Sequence, residues 1–85
     1  MAPQSPREVT MTHTKEFVVQ AEALFASALQ PSDQPGERQI REAITTSLRT
    51  HQGAGGCAAI MAAAFSRTPN EAVDRLSWVL TLIPA

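Results

Sequence analysis

Eighty-five residues, 44% hydrophobic and 18% charged, make one small domain, too apolar to be disordered by composition and without a run long enough to cross a membrane. Seven basic against eight acidic side chains give a net charge of -1, so the basic excess that phosphate contacts require is missing. A single cysteine excludes an intramolecular disulfide and suits a reducing cytoplasm, while fourteen alanines and the absence of Tyr favour helix over sheet.

Residues 1–13 read as a flexible arm ahead of a single helical domain over residues 14–85. Ser5-Pro6-Arg7-Glu8 has the form of a capping box, so a helix could begin there. Val9, Thr10, Thr12 and Thr14 follow, and β-branched residues lose rotamer freedom in a helix. Thr14 is an alternative cap. With Arg7, Glu8, Lys15 and Glu16 and no long apolar core, this stretch does not read as a secretory signal.

Lys15 to about Leu29 predicts a first helix. Phe17, Ala21, Leu24 and Ala28 recur at helical spacing, and Val18, Phe25 and Leu29 widen the stripe. Gln30-Pro31-Ser32-Asp33-Gln34-Pro35-Gly36 breaks it. A second helix starts near Pro35, with Ile40, Ala43, Ile44, Ser47 and Leu48 on its buried edge. Glu37 with Arg41, and Arg38 with Glu42, stand four apart as candidate ion pairs. Gly53 is its expected stop.

Gly53-Ala54-Gly55-Gly56 reads as a flexible joint. A third helix is predicted from about Cys57 to Phe65, the shortest and most enclosed of four, with Cys57, Ile60, Met61, Ala64 and Phe65 on its apolar face. Thr68-Pro69-Asn70-Glu71 is a capping box with Pro at the first helical position, and Thr68→Ala should cost about 1 kcal/mol. Ala72, Leu76, Val79 and Ile83 form one row of a fourth helix, and Val73, Leu80 and Leu82 broaden it. Pro84 disfavours a helical Ile83, so this helix should end at about Leu82. The pattern predicts an all-α bundle of four short helices, the last two forming a hairpin with a helix-turn-helix-like outline. Its expected core is Phe17, Leu24, Ile44, Leu48, Ile60, Phe65, Leu76 and Val79.

Chemistry is thinly represented. Cys57 opens a helix, where thiolates are stabilised, and His51 lies six residues earlier, but no spacing fixes an acid to orient a Cys–His pair. Packing is the simpler role for such a cysteine. The glycine run lacks phosphate-loop spacing and has no Lys-Ser or Lys-Thr after it. His13, His51 and Cys57 do not stand at metal-ligand spacing. The sequence therefore nominates no catalytic, cofactor-binding or metal residue.

Two binding readings remain. In a helix-turn-helix reading, Ala62, Phe65, Ala72 and Leu76 are the anchors, and Asn70, Glu71, Asp74 and Arg75 form the recognition face. Two acids against one Arg suit phosphates poorly. The preferred reading is a non-enzymatic interaction module that meets a protein partner or a second copy of itself. Trp78, Phe25, Leu80 and Leu82 are its candidate surface, since Trp is enriched at interface hot spots and a chain this small has apolar side chains to spare, although the simpler role for Trp78 is to cap the small core.

Gly56-Cys57-Ala58-Ala59, the Gln30-Pro31-Ser32-Asp33 turn and Pro69-Asn70-Glu71-Ala72-Val73-Asp74-Arg75-Leu76-Ser77-Trp78 together resemble small alanine-rich helical proteins of high-GC actinobacteria. The resemblance covers about residues 17–82. It implies a compact helical fold in an intracellular bacterial setting and transfers no functional residue.

Overall fold

A computed structural model describes the backbone of residues 6–84 and the side chains of residues 15–84. It is all-α. The helices are α1 (Pro6–Ala26), α2 (Glu37–Thr50), α3 (Ala54–Arg67) and α4 (Pro69–Leu82), with a single 3₁₀ turn at Pro31–Asp33 between α1 and α2. No strand occurs among the described residues. Helix geometry begins at Pro6, within the span read as an arm, and residues 1–5 of that arm lie outside the described residues.

The helices assemble around α1. It packs against α2, α3 and α4, and it supplies Ala21, Ala23, Leu24 and Phe25 to the buried set. Ala21, Leu24, Val79 and Ile83 form the central cluster, flanked by Phe17, Leu29, Ile40, Ala43, Ile44, Trp78 and Leu82. Leu24 and Val79 are fully buried, and each contributes about 1.5–3 kcal/mol by leaving water. Ile83 ends α4 in extended geometry, at φ -104° and ψ 121°, as a residue before proline prefers.

Several expectations are corrected. α3 is not the shortest helix. It has 14 residues, as do α2 and α4, because Ala54, Gly55 and Gly56 are its first turn rather than a joint. Nor is α3 the most enclosed, since Cys57 is its one buried residue and Ile60, expected in the core, is exposed. Phe65 and Leu76 are half-buried rather than central. Val18 and Ala28 are exposed because α1 turns only its Ala21–Leu24–Phe25 side to its neighbours and ends at Ala26. Glu37 and Arg41 pair at 2.9 Å on the surface of α2, whereas Arg38 and Glu42 do not pair.

The junction between α2 and α3 explains the glycines. Gln52 takes a left-handed conformation, φ 64°, and the Gly53 N–H donates to the Leu48 carbonyl at 2.6 Å, closing a Schellman turn. Gly53 itself has φ 95°, which L-residues rarely adopt. Three residues on, Gly56 passes so close to the end of α2 that a Cβ there would lie 1.6 Å from the His51 carbonyl oxygen. Next to that contact, Ser47 and Cys57 meet across α2 and α3. Their Oγ and Sγ are 3.6 Å apart, and the thiol donates to the Ser47 carbonyl at 3.7 Å.

Candidate functional site

Three polar side chains, Arg75, His51 and Ser27, converge on the C-terminus of α1. The last carbonyls of any α-helix lack intrahelical partners and carry about half a unit of negative charge. In α1 two distant helices supply the donors. Midway along α4, Arg75 donates from Nε to the Phe25 carbonyl at 2.8 Å and from Nη2 to the Ser27 carbonyl at 2.9 Å. A longer contact at 3.4 Å reaches Leu24 O. From the end of α2, His51 Nε2–H donates to the Ala26 carbonyl at 3.2 Å. Ser27 Oγ donates to Leu24 O at 2.6 Å, completing the local cap.

Two rings flank the Arg75 guanidinium. Its carbon lies 5.6 Å from the centroid of Phe25 and 5.7 Å from that of Trp78, both within cation–π range. Phe25 in turn stacks on Phe65 with centroids 6.0 Å apart, tying α3 to the same cluster. Burial lowers the pKa of Arg75 below the usual arginine value, because desolvation disfavours the charged form.

The nominated partner surface is rearranged accordingly. Phe25 is 5% exposed and belongs to the core, so it is withdrawn from that surface. Leu82 packs against the central cluster, and Trp78 is half-buried beneath Arg75. Leu80 is 41% exposed, and Val73, also on α4, is 52% exposed. Seven residues separate them, so they lie on one face of α4.

The face that a helix-turn-helix reading would use for recognition lacks its cation. Arg75 turns into the α1 terminus, which leaves Asn70, Glu71 and Asp74 exposed. Thr68 alone separates α3 from α4, whereas DNA-reading helix pairs are joined by a turn of three or four residues. Thr68 does not cap α4 with its side chain either. Its hydroxyl and its N–H both donate back to the Ala64 carbonyl, at 3.3 and 2.8 Å, and so close α3.

Cys57 has no exposed surface, and its sulfur is taken up by Ser47. His51 Nε2 is committed to Ala26, and no hydrogen bond joins His51 to Cys57 as a Cys–His pair would need. The side chain of His13 lies outside those described. Among the described residues no group of three His, Cys, Asp or Glu is placed to hold a metal ion, and no helix is long and apolar enough to cross a membrane.

Sequence reasoning missed the contacts that Arg75, His51 and Gly56 make with other helices. The one local signal was the i, i+3 spacing of Arg75 and Trp78, which allows a cation to lie over an indole. The carbonyls that Arg75 serves are 48 to 51 residues away in sequence. The chain matches no protein-family model, and no curated protein and no solved structure is similar to it.

Proposed function

We propose that the chain is a non-enzymatic helical interaction module that associates with a second copy of itself or with a protein partner through the outer face of α4. The observation that carries this reading is the exposure of Val73 and Leu80 on one side of α4. Both side chains lose water-exposed apolar area when that face is covered. Ser77 lies between them and is also exposed, so the stripe is not interrupted by a charge.

Among the described residues, the cysteine and the histidine are engaged in packing. Cys57 is enclosed, His51 caps α1, and Nε and Nη2 of Arg75 are bound to carbonyls. The same use of Arg75 counts against the DNA-binding alternative, whose recognition face keeps two acids and no cation. A cytoplasmic setting suits a chain whose one thiol is free and buried. An actinobacterial origin rests on the alanine-rich pattern and the turn motifs described above.

The test is solution mass by sedimentation equilibrium from micromolar to millimolar protein. Mass should rise above that of the monomer and fall back in Val73→Asp/Leu80→Asp, with the helical signal unchanged. A monomer mass across the whole range would remove self-association. Unchanged capture of a protein partner by the double variant would remove α4 as the docking face.

A further inference from the structure

Arg75 has a property that its capping role does not account for. It is a half-buried cation with no carboxylate partner among the described residues. Charges withdrawn from water are ordinarily paired. Here the carbonyls of the α1 terminus offset about half a unit of charge, against a full unit on the guanidinium. Glu71 and Asp74, its nearest acids on α4, are exposed and form no ion pair with it. In the turn after α1, Asp33 Oδ2 is occupied by the Gln30 N–H at 2.8 Å.

The guanidinium also has capacity left. Nε and Nη2 are engaged, and Nη1 has no partner among the described residues. Arg75 lines an open hollow of about 470 Å³ whose other walls include Phe25, Ser27, Leu29 and Pro31. Among the described residues no acidic side chain lines it.

We propose that this hollow binds a carboxylate, which accepts from Nη1 of Arg75 while its apolar stem lies against Phe25, Leu29 and Pro31. A monoanion fits better than a phosphate, because one cation with one free nitrogen is the whole positive complement among the described residues. Phe25, Leu29 and Pro31 supply the apolar contacts, and the charge-assisted hydrogen bond from Nη1 supplies the rest. The carboxylate belongs either to a small free acid or to the side chain of a bound protein. The site is independent of the α4 outer face, so failure of self-association would leave it standing, and the reverse also holds.

The experiment uses the full isotope-labelled chain. The side-chain N–H signals of Arg75 and the fluorescence of Trp78, the only tryptophan, are followed during titration. The probes are sodium butyrate, a capped glutamate peptide and, at matched ionic strength, sodium chloride. Both carboxylates should shift the Arg75 signals saturably and change Trp78 emission, and chloride should do neither. Arg75→Lys keeps the charge but loses the fork, and should weaken binding by about tenfold or more. Tighter binding of the peptide assigns the carboxylate to a protein, and tighter binding of butyrate assigns it to a free acid. Shifts no larger than those with chloride, up to about 100 mM and so well above a millimolar affinity, overturn the proposal. Equal binding by a folded Arg75→Lys overturns it too. Should that variant unfold, the wild-type Arg75 signals decide alone.

Discussion

Gly55 and Gly56 are adjacent, occupy the same turn of α3, and should respond to alanine in opposite directions. At Gly55 a new Cβ would meet nothing within 4 Å. Alanine there removes the entropic penalty of glycine in a helix, a gain of about 0.5–1 kcal/mol. At Gly56 the new carbon would lie 1.6 Å from the His51 carbonyl oxygen and 2.7 Å from its carbon, both backbone atoms. Neither can rotate away, so α2 and α3 must separate by more than an ångström. That movement would loosen the Ser47–Cys57 contact beside it and pull His51 from the Ala26 carbonyl. Overpacking of this kind costs about 1–3 kcal/mol or more, and the lost contacts place Gly56→Ala at the upper end even after the helix-propensity gain. A domain of this size has only about 4–13 kcal/mol of stability in all. Thermal unfolding followed by far-ultraviolet circular dichroism checks the pair. Gly55→Ala should raise the midpoint by about 2–8 °C, and Gly56→Ala should lower it by about 10 °C or more. Equal midpoints for the two variants would refute the close approach of α2 and α3.

Three further outcomes follow from burial and capping. Leu24→Ala, at a fully enclosed site, should cost about 2–5 kcal/mol in urea denaturation, and Phe65→Ala, half-buried, about half the usual 3–5 kcal/mol; the reverse order would misplace the core. Thr68→Ala should cost about 0.5 kcal/mol or less, because the hydroxyl makes no bond to the first turn of α4; a loss near 1 kcal/mol would show that it caps α4 after all. Cys57 should resist a thiol reagent in the native protein and react fully in denaturant, and rapid native labelling would contradict its enclosure.

Local features of the chain were legible because their causes are local. Pro84 makes Ile83 extended, so the end of α4 at Leu82 follows from two neighbours. The proline-rich stretch after α1 breaks the helix for the same reason, although α1 ends at Ala26 rather than near Leu29. The row Ala72, Leu76, Val79 and Ile83 does face inward, because apolar periodicity records which side of a helix meets the others. The same periodicity could not say how far inward each residue goes. Ile60 and Val73 look as apolar as Val79, and only the arrangement of neighbouring helices leaves them exposed.

The tertiary structure decided the rest, where the relevant partner lies far along the chain. Thr68-Pro69-Asn70-Glu71 has every residue of a capping box. The Thr68 hydroxyl nevertheless bonds to Ala64, because the single-residue joint leaves it against the end of α3. Phe25 looked like spare apolar surface until α3 and α4 covered it with Phe65 and Arg75. Gly56 looked like a joint until the end of α2 came to rest against it. Arg75 read as the one cation of an exposed face, but the helix terminus that attracts it becomes a neighbour only when α4 folds back along α1. Thus the all-α architecture and the end of α4 follow from short-range backbone preferences and apolar spacing. The uses of Arg75, His51 and Gly56 are set by unsatisfied carbonyls and by the room left between helices, which exist only once the helices have packed.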